Sequence, residues 1–408
     1  MTASLPLPLP LPLDGIRILS AEQYGAGPFG SMLLADLGAE VIKIENPHDG
    51  GDVSRATGPF FLGDDKAQPD SQFFQSFNRN KKSLTLDLKN SAGQAVFRKL
   101  AATSNAVMNN LRGDLPAKLG LTYALLKEVN PALVCVHLSA YGRDNERAGW
   151  PGYDYLMQAE AGYLHLTGEA DGLPTRMGLS MVDYMTGTTT AMALLAGVLG
   201  AQRSGQGRDV DISLFDVALA QLTYPATWYL NGGHVVERMP RSAHPSTVPC
   251  QLVKTHDGWL FVMCMTARFW EALANGIGQP GLLADPRFAT PAMRREHRQI
   301  LSDLLDAAFS QASSQTWMSR LAGKLPVAPV LNVAQALDNP YAASVGMVQA
   351  VPHPAAPGLR MVANPVKLDG QRTPAKVCSA LGADTQALLF ELGYSGADID
   401  ALRANNTV

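Results

Sequence analysis

Short apolar runs alternate with longer stretches of helical periodicity along the first half of the chain. Ile16–Ser20 (IRILS) reads as a strand. A glycine-rich turn follows, then FGSMLLADLG, whose apolar residues recur at helical spacing and stop at Gly38. Val41–Glu45 (VIKIE) is the next strand. Strand, turn, helix and strand make a βαβ unit, which requires a parallel sheet with right-handed crossovers. The pattern recurs, with strands predicted at Ser83–Leu88, Ala106–Asn109, Leu133–Leu138 and Val210–Ser213. Helices are predicted over Ala92–Thr103, Tyr123–Val129, Tyr184–Arg203 and Phe215–Leu222. The expected class is α/β, an open Rossmann-like parallel sheet.

Beyond Tyr224 the pattern changes. Residues 225–249 are rich in Pro, Gly, Ser and His and read as a linker, and 323–340 has a similar character. Gln251–Lys254 and Trp259–Met265 flank an Asp-Gly turn, a hairpin signal. Helices follow over Phe269–Ala274, Arg294–Ser310 and Gln315–Ala322; short strands resume from about Pro329, and Asp384–Gly393 closes on a helix. The predicted organisation is a large α/β domain from 13–222 and 335–408, a smaller α+β domain at 225–330 and a flexible Leu/Pro leader over 1–12. The alternating prolines of that leader forbid the helical core of a signal peptide. The stretch Tyr184–Leu199 carries four threonines and two glycines and is shorter than a membrane span of ~20 apolar residues, so it is predicted to be a buried helix.

Composition narrows the partners. Of 408 residues, 46% are hydrophobic and 17% charged, as in a well-buried globular protein. A net charge of −3 gives no long-range pull on nucleic acid or anionic lipid, so an anionic ligand must be held by local basic groups. Cys135, Cys250, Cys264 and Cys378 have no metal-like spacing and read as buried residues of a reducing compartment. A soluble, cytoplasmic protein is expected. His165, His244 and His256 lack ligand-like spacing and read as structural.

Two motifs carry candidate chemistry. Gly25-Ala26-Gly27-Pro28-Phe29-Gly30 is a GxGxxG that opens a helix, with Glu45 ending the next strand. That pattern suits an NAD(P)-dependent oxidoreductase, but Ala21–Tyr24 separate the strand from the first glycine, and a tight strand-to-helix turn explains it as well. Asp183 precedes the predicted Tyr184 helix, where an Asp is ordinarily an N-cap. Its neighbours Gly178–Val182 and Met185–Gly187 bring no charge, and a poorly hydrated carboxylate suits a nucleophile.

LDGIRIL with AGPFGSMLLADLGAEVIKIENP resembles the opening of the class III CoA-transferase family, which includes formyl-CoA and carnitine CoA-transferases and also α-methylacyl-CoA racemase. FNRNKKSLTLDL, NNLRGDLPAKLGL, PGYDYLMQAEAG, SGQGRDVDISLFD and LGADTQALLFELGY are similar to further family segments, in order, from Leu13 to Leu402. The resemblance implies that Asp183 is the nucleophile, forming an aspartyl–acyl anhydride with an acyl-CoA. It implies that Tyr153 lies against the active site, where the racemase branch has a histidine; tyrosine is the poorer proton abstractor, which disfavours racemisation. It further implies that Leu86, Lys89, Asn110, Leu111, Lys118, Leu119 and Tyr153 contact CoA. Lys118 stands for a family arginine, Asn46 for an arginine that stacks on the adenine, and Gly25 for a glutamine beside the reacting groups. A glycine-rich lid found in the formyl-CoA enzyme has no counterpart between Pro245 and Lys254, and with Gly25 this argues against formyl and oxalate.

The expected activity is therefore transfer of CoA from an acyl-CoA donor, succinyl-CoA as a first guess, to a short carboxylic or dicarboxylic acid. Arg143, Arg176, Arg241 and Arg268 are candidates to meet a second carboxylate. CoA is expected as a substrate, with no resident cofactor and no metal. Neither nucleic acid nor membrane is expected as a partner, and an interlocked-ring homodimer is implied by the resemblance. A racemase, the oxidoreductase and a non-catalytic CoA-binding scaffold remain alternatives.

Overall fold

The structure, a computed structural model, describes residues 10–64 and 69–408. The predicted leader thus lies outside the described residues as far as residue 9. By internal contacts the chain divides into two units. The first holds the described residues up to Ala161, with Gly178–Leu222 and Pro340–Val408; the second holds Gly162–Met177 and Thr223–Asn339.

The first unit is built on six strands: β1 (Arg17–Ala21), β2 (Glu40–Glu45), β3 (Lys82–Thr85), β4 (Ala106–Asn109), β5 (Val134–Ser139) and β6 (Arg208–Ser213). They lie in the order β3-β2-β1-β4-β5-β6, every neighbouring pair parallel. Successive residues face opposite layers, as the two-residue period of a strand demands. Ile18, Val41, Met108, Val134 and Val136 pack against helix residues Leu34, Leu194 and Val198 on one face. Leu19, Ile42, Leu84, Val107 and Cys135 pack against Phe97, Leu100 and the C-terminal Leu388, Leu389 and Ile399 on the other. Covered on both faces, β4 and β5 are buried at every residue, which is why LVCVHL is an unbroken apolar run.

The second unit has an antiparallel sheet of β7 (Cys250–Lys254), β8 (Trp259–Met263) and β9 (Val327–Pro329). Helices Ala267–Gly276, Arg298–Phe309 and Ser314–Leu321 bury Trp270, Leu273, Leu301, Leu305 and Trp317 against Val253, Leu260 and Val262. The Trp317 indole N–H donates to the Phe309 carbonyl at 2.7 Å, so this large ring is buried with its polar atom satisfied.

Several boundaries differ from expectation. The stretch 225–249 contains a helix, Tyr224–Gly232, with Pro225 tolerated in its first turn and Gly233 ending it in the left-handed region. None of its residues is buried in the chain, which is why no apolar periodicity marked it. The predicted Tyr123–Val129 helix is a single turn, Tyr123–Leu126. Arg294–Ser310 is two helices, Pro291–Glu296 and Arg298–Phe309, meeting at His297. The long helix begins at Met181 and runs to Ser204, with Ser180 as N-cap; Asp183 is thus inside the first turn rather than before it. Among the described residues no helix is long and apolar enough to cross a membrane.

Candidate active site

In an open parallel sheet the order reverses between two strands whose following loops diverge, leaving a crevice at their C-terminal ends. Here those strands are β1 and β4. The loop after β1 carries Gln23, Tyr24 and Gly25; the loop after β4 carries Asn110. The Asn110 side chain bridges them, Oδ1 accepting from the Gln23 N–H at 2.8 Å and Nδ2 donating to the Gln23 carbonyl. Tyr24 sits at φ 68°, a left-handed conformation uncommon for a residue with a side chain.

That turn rests on a sealed ionic network. Lys43, wholly buried on β2, reaches Asp52 at 2.8 Å and donates to the Glu22 carbonyl at 2.9 Å. Lys81 contacts Glu22 at 2.8 Å and donates to the carbonyl of Pro28. Asp52 Oδ1 accepts the Tyr24 N–H at 3.1 Å and so holds the strained residue. Burial opposes the Asp52 charge, yet the Lys43 ammonium and the Ser54 donors pull its carboxyl down to about 2. Burial lowers Lys81 to about 8, Glu22 offsetting part of the effect.

Asp183 stands in a different environment. It is 8% exposed, and its backbone N–H, one of those a helix start leaves without an intrahelical partner, donates to Asp154 Oδ2 at 2.9 Å. Burial first, and the Asp154 carboxylate second, raise its carboxyl to about 7. No cationic side chain among the described residues pulls it back down. A carboxylate of this kind is half ionised near neutrality and more basic than one in water, and both properties favour nucleophilic attack. Beside it the Ala26–Asp36 helix begins, and the free N–H groups at its start carry partial positive charge.

The glycines that resembled a dinucleotide fingerprint have packing reasons. A β-carbon on Gly25 would collide with Asp183 Oδ2, and one on Gly27 would lie 2.9 Å from the Asn110 side chain. One on Gly30 would lie 2.5 Å from the Gly187 carbonyl, because the two helices touch backbone to backbone there. Glu45, the acid such a fingerprint would offer to a ribose, is buried and bound by Arg55 at 2.7 and 2.8 Å.

Of the residues singled out in sequence, Asp183, Gly25, Asn110 and Tyr153 meet at this crevice. Tyr153 is 64% exposed, its ring edge-on to Tyr24 at 6.4 Å. The others occupy loops at the same edge of the sheet. Asn46 follows β2 and caps a single 3₁₀ turn. Leu86 follows β3 and is sealed in the core, so only its backbone is available to a ligand, whereas Lys89 is exposed. Leu111 and Leu119 pack on that core, and Lys118 pairs with Asp114 at 2.8 Å. Sequence reasoning missed Asp154 as the cap of the long helix, and the Lys43–Asp52 support. A lysine inside the apolar strand VIKIE was the available signal for the second.

Comparison with known proteins bears on the family and the fold. Residues 13–385 match the family described as CoA-transferase family III. An acyl-CoA transferase of Fusarium pseudograminearum is 34% identical over 95% of this chain and 86% of its own length. A succinate–glutarate CoA-transferase of Agrobacterium fabrum is 34% identical over 82% and 84%. The crystal structure of a CaiB/BaiF family protein from Brucella suis superposes with a TM-score of 0.80 at 30% identity, covering 94% of this chain and all of that one.

Proposed function

The chain belongs to CoA-transferase family III, and from that premise we propose that it moves coenzyme A between two carboxylic acids through covalent intermediates on Asp183. The observation that carries this reading is a buried carboxylate with no cation among the described residues to quench it, fixed at the start of a helix beside the switch-point crevice. In the first step an Asp183 oxygen attacks the donor thioester carbonyl, the C–S bond breaks, and CoA thiolate leaves an acyl–aspartyl anhydride. The thiolate then attacks the aspartyl carbonyl, giving an aspartyl-CoA thioester and releasing the donor acid. The acceptor carboxylate displaces the thiolate from the aspartyl carbon, and the thiolate attacks the acceptor acyl carbon. Asp183 is regenerated and the acceptor leaves as its CoA ester. Thioesters and anhydrides are both activated acyl species, so electrostatic preorganisation is the main requirement on the protein.

Succinyl-CoA is the proposed donor and a small mono- or dicarboxylic acid the acceptor. The similarity to the enzyme named succinate–glutarate CoA-transferase supports this choice. Loops after β2, β3 and β4, with Asn46, Leu86, Lys89, Asn110, Leu111, Lys118 and Leu119, are assigned to CoA, and Tyr153 to the acyl end. A homodimer is proposed as the working form; Met192 (65% exposed) and Leu230 (76% exposed) are among the apolar side chains that a second copy would cover. Four free, buried cysteines fit a reducing, cytoplasmic setting.

The test is mass spectrometry of the protein after succinyl-CoA and then hydroxylamine, with Asp183→Asn alongside. A hydroxamate at Asp183 is expected in the parent and not in the variant. Absence of any adduct across a panel of acyl-CoAs, with α-proton exchange in deuterated water instead, would replace transfer by racemisation.

A further inference from the structure

A polar chain crosses the buried middle of the first unit. His137 lies on β5, 1% exposed, in a strand whose every residue is buried. Its Nδ1 is 2.8 Å from Nδ2 of Asn109, its ladder neighbour on β4. Its Nε2 is 2.8 Å from Asp209 Oδ1 on β6. Chemistry fixes the direction of both bonds. An amide nitrogen only donates, so Nδ1 accepts, and the ring proton sits on Nε2 and goes to the carboxylate. Asp209 also accepts the Tyr123 N–H at 2.9 Å. Burial opposes its charge, yet those two donors hold its carboxyl below the usual range.

An apolar filling would have been simpler. By the two-residue period Asn109 and His137 share the face of Val107 and Cys135, where a hydrocarbon needs no partners. What the polar chain accomplishes is to hold one amide. Asn109 Oδ1 is buried without a hydrogen-bond partner. Its Nδ2 has, among the described residues, His137 and a longer contact of 3.4 Å to the Val136 carbonyl. His137 therefore sets which way that amide faces. Asn109 is also the last residue of β4, where the chain leaves the sheet into Asn110. The Asn110 side chain spans the switch point to both backbone groups of Gln23 and lies against Gly27. Two residues on from Gln23, Gly25 abuts Asp183. An unbroken series of bonded or touching groups thus runs from Asp209 to Asp183.

We propose that His137, oriented by Asp209, is a positioning residue: through Asn109 it fixes the end of β4, and so the Asn110 bridge that holds the turn against Asp183. The proposal rests on Asp183 as the reacting group and adds the device that keeps its surroundings in register. Anchoring the last residue of a strand by its side chain limits how far the departing loop shifts. A shift of about 1 Å near a reacting group can cost about 100-fold in rate.

The experiment measures kcat, KM for succinyl-CoA and the urea midpoint, with glutarate as acceptor. The proteins are the parent, His137→Leu, His137→Gln and the double variant Asn109→Leu/His137→Leu. The double variant removes the amide donor and its acceptor together, so neither is left orphaned in the core. It is expected to keep the parent's midpoint while kcat per folded molecule falls about tenfold and KM moves by about twofold or less. His137→Gln, whose amide can accept from Asn109 and donate to Asp209, is expected to recover most of kcat. A double variant as active as the parent, or a glutamine no better than leucine, overturns the proposal, since a merely space-filling histidine gives that result. Hydroxylamine trapping on the parent separates the two readings. A hydroxamate at Asp183 beside an unaffected double variant removes the positioning role alone. With no hydroxamate the transfer reading falls, and the same variants decide the positioning role on α-proton exchange.

Discussion

Asp52 and Asp183 are both aspartates sealed in the first unit, one on each side of the turn that follows β1, and their carboxyls differ by about five pH units. Asp52 has Lys43 at 2.8 Å and is held at about 2; Asp183 has only burial and Asp154 acting on it and rises to about 7. Burial is common to the two; the Lys43 ammonium and the Ser54 donors hold one carboxyl down, while the Asp154 carboxylate helps to hold the other up. The turn itself joins them: Asp52 holds Tyr24, and Gly25 abuts Asp183.

The contrast is broken most severely by neutralising Asp183. Asp183→Asn removes the proposed covalent nucleophile and is expected to lower kcat for CoA transfer by ~10⁴-fold or more, measured by acyl-CoA product formation. Neutralising the support should act on folding instead. Asp52→Asn takes from the buried Lys43 ammonium its nearest anion and leaves Glu22 at 4.0 Å, an expected loss of about 3 kcal/mol in urea unfolding. Asp183→Asn should move stability in the opposite direction, and its sign follows from linkage. A carboxyl raised in the folded state favours folding below its unfolded value of about 4, and that advantage is lost as pH climbs towards 7. The gain of Asp183→Asn over the parent should therefore appear between those limits and reach at most ~4 kcal/mol at pH 8. Asp52, depressed to about 2, contributes above pH 4 and loses its contribution as pH falls towards 2.

Smaller effects sharpen the comparison. Gly25→Ala pushes a methyl group into Asp183 Oδ2 and should cost about 100-fold in kcat while retaining the fold. Because the proposed reactive form is the carboxylate, kcat/KM of the parent should rise about tenfold per pH unit below 7 and level off above it. A flat profile from pH 5 to 8 would mean that Asp183 is ionised throughout and that the cation-free description of its pocket is wrong.

Much of the scaffold was legible because periodicity is a local property. VCVHL and VIKIE announce buried strands, and their spacing announces the crossovers. Asp183 was singled out by the family resemblance, since its charge-poor neighbours alone suit an N-cap as well. What could not be read is whatever three or more distant segments make together. FFQSF looks like ordinary helix packing until the fold carries Phe73 to Tyr24 and Phe77 to Tyr184. Asp154 looks like the first residue of its own helix, yet it caps another helix 29 positions on. The helix start at Met181 was missed for the same reason, since the N–H it frees at Asp183 is satisfied from outside the local sequence. Tyr224–Gly232, with no buried residue, offers no period for a reader to find.

Backbone contact between the helices at Gly30 and Gly187 sets the terms on which this enzyme can diversify. Two rods pressed together without intervening side chains neither slide nor tilt to suit a new ligand, so Asp183 keeps one address. Variation must then be written in the residues that line the crevice, around an Asp183 that stays in place. A lineage, or an engineer, can repaint that surface repeatedly without re-siting the chemistry behind it.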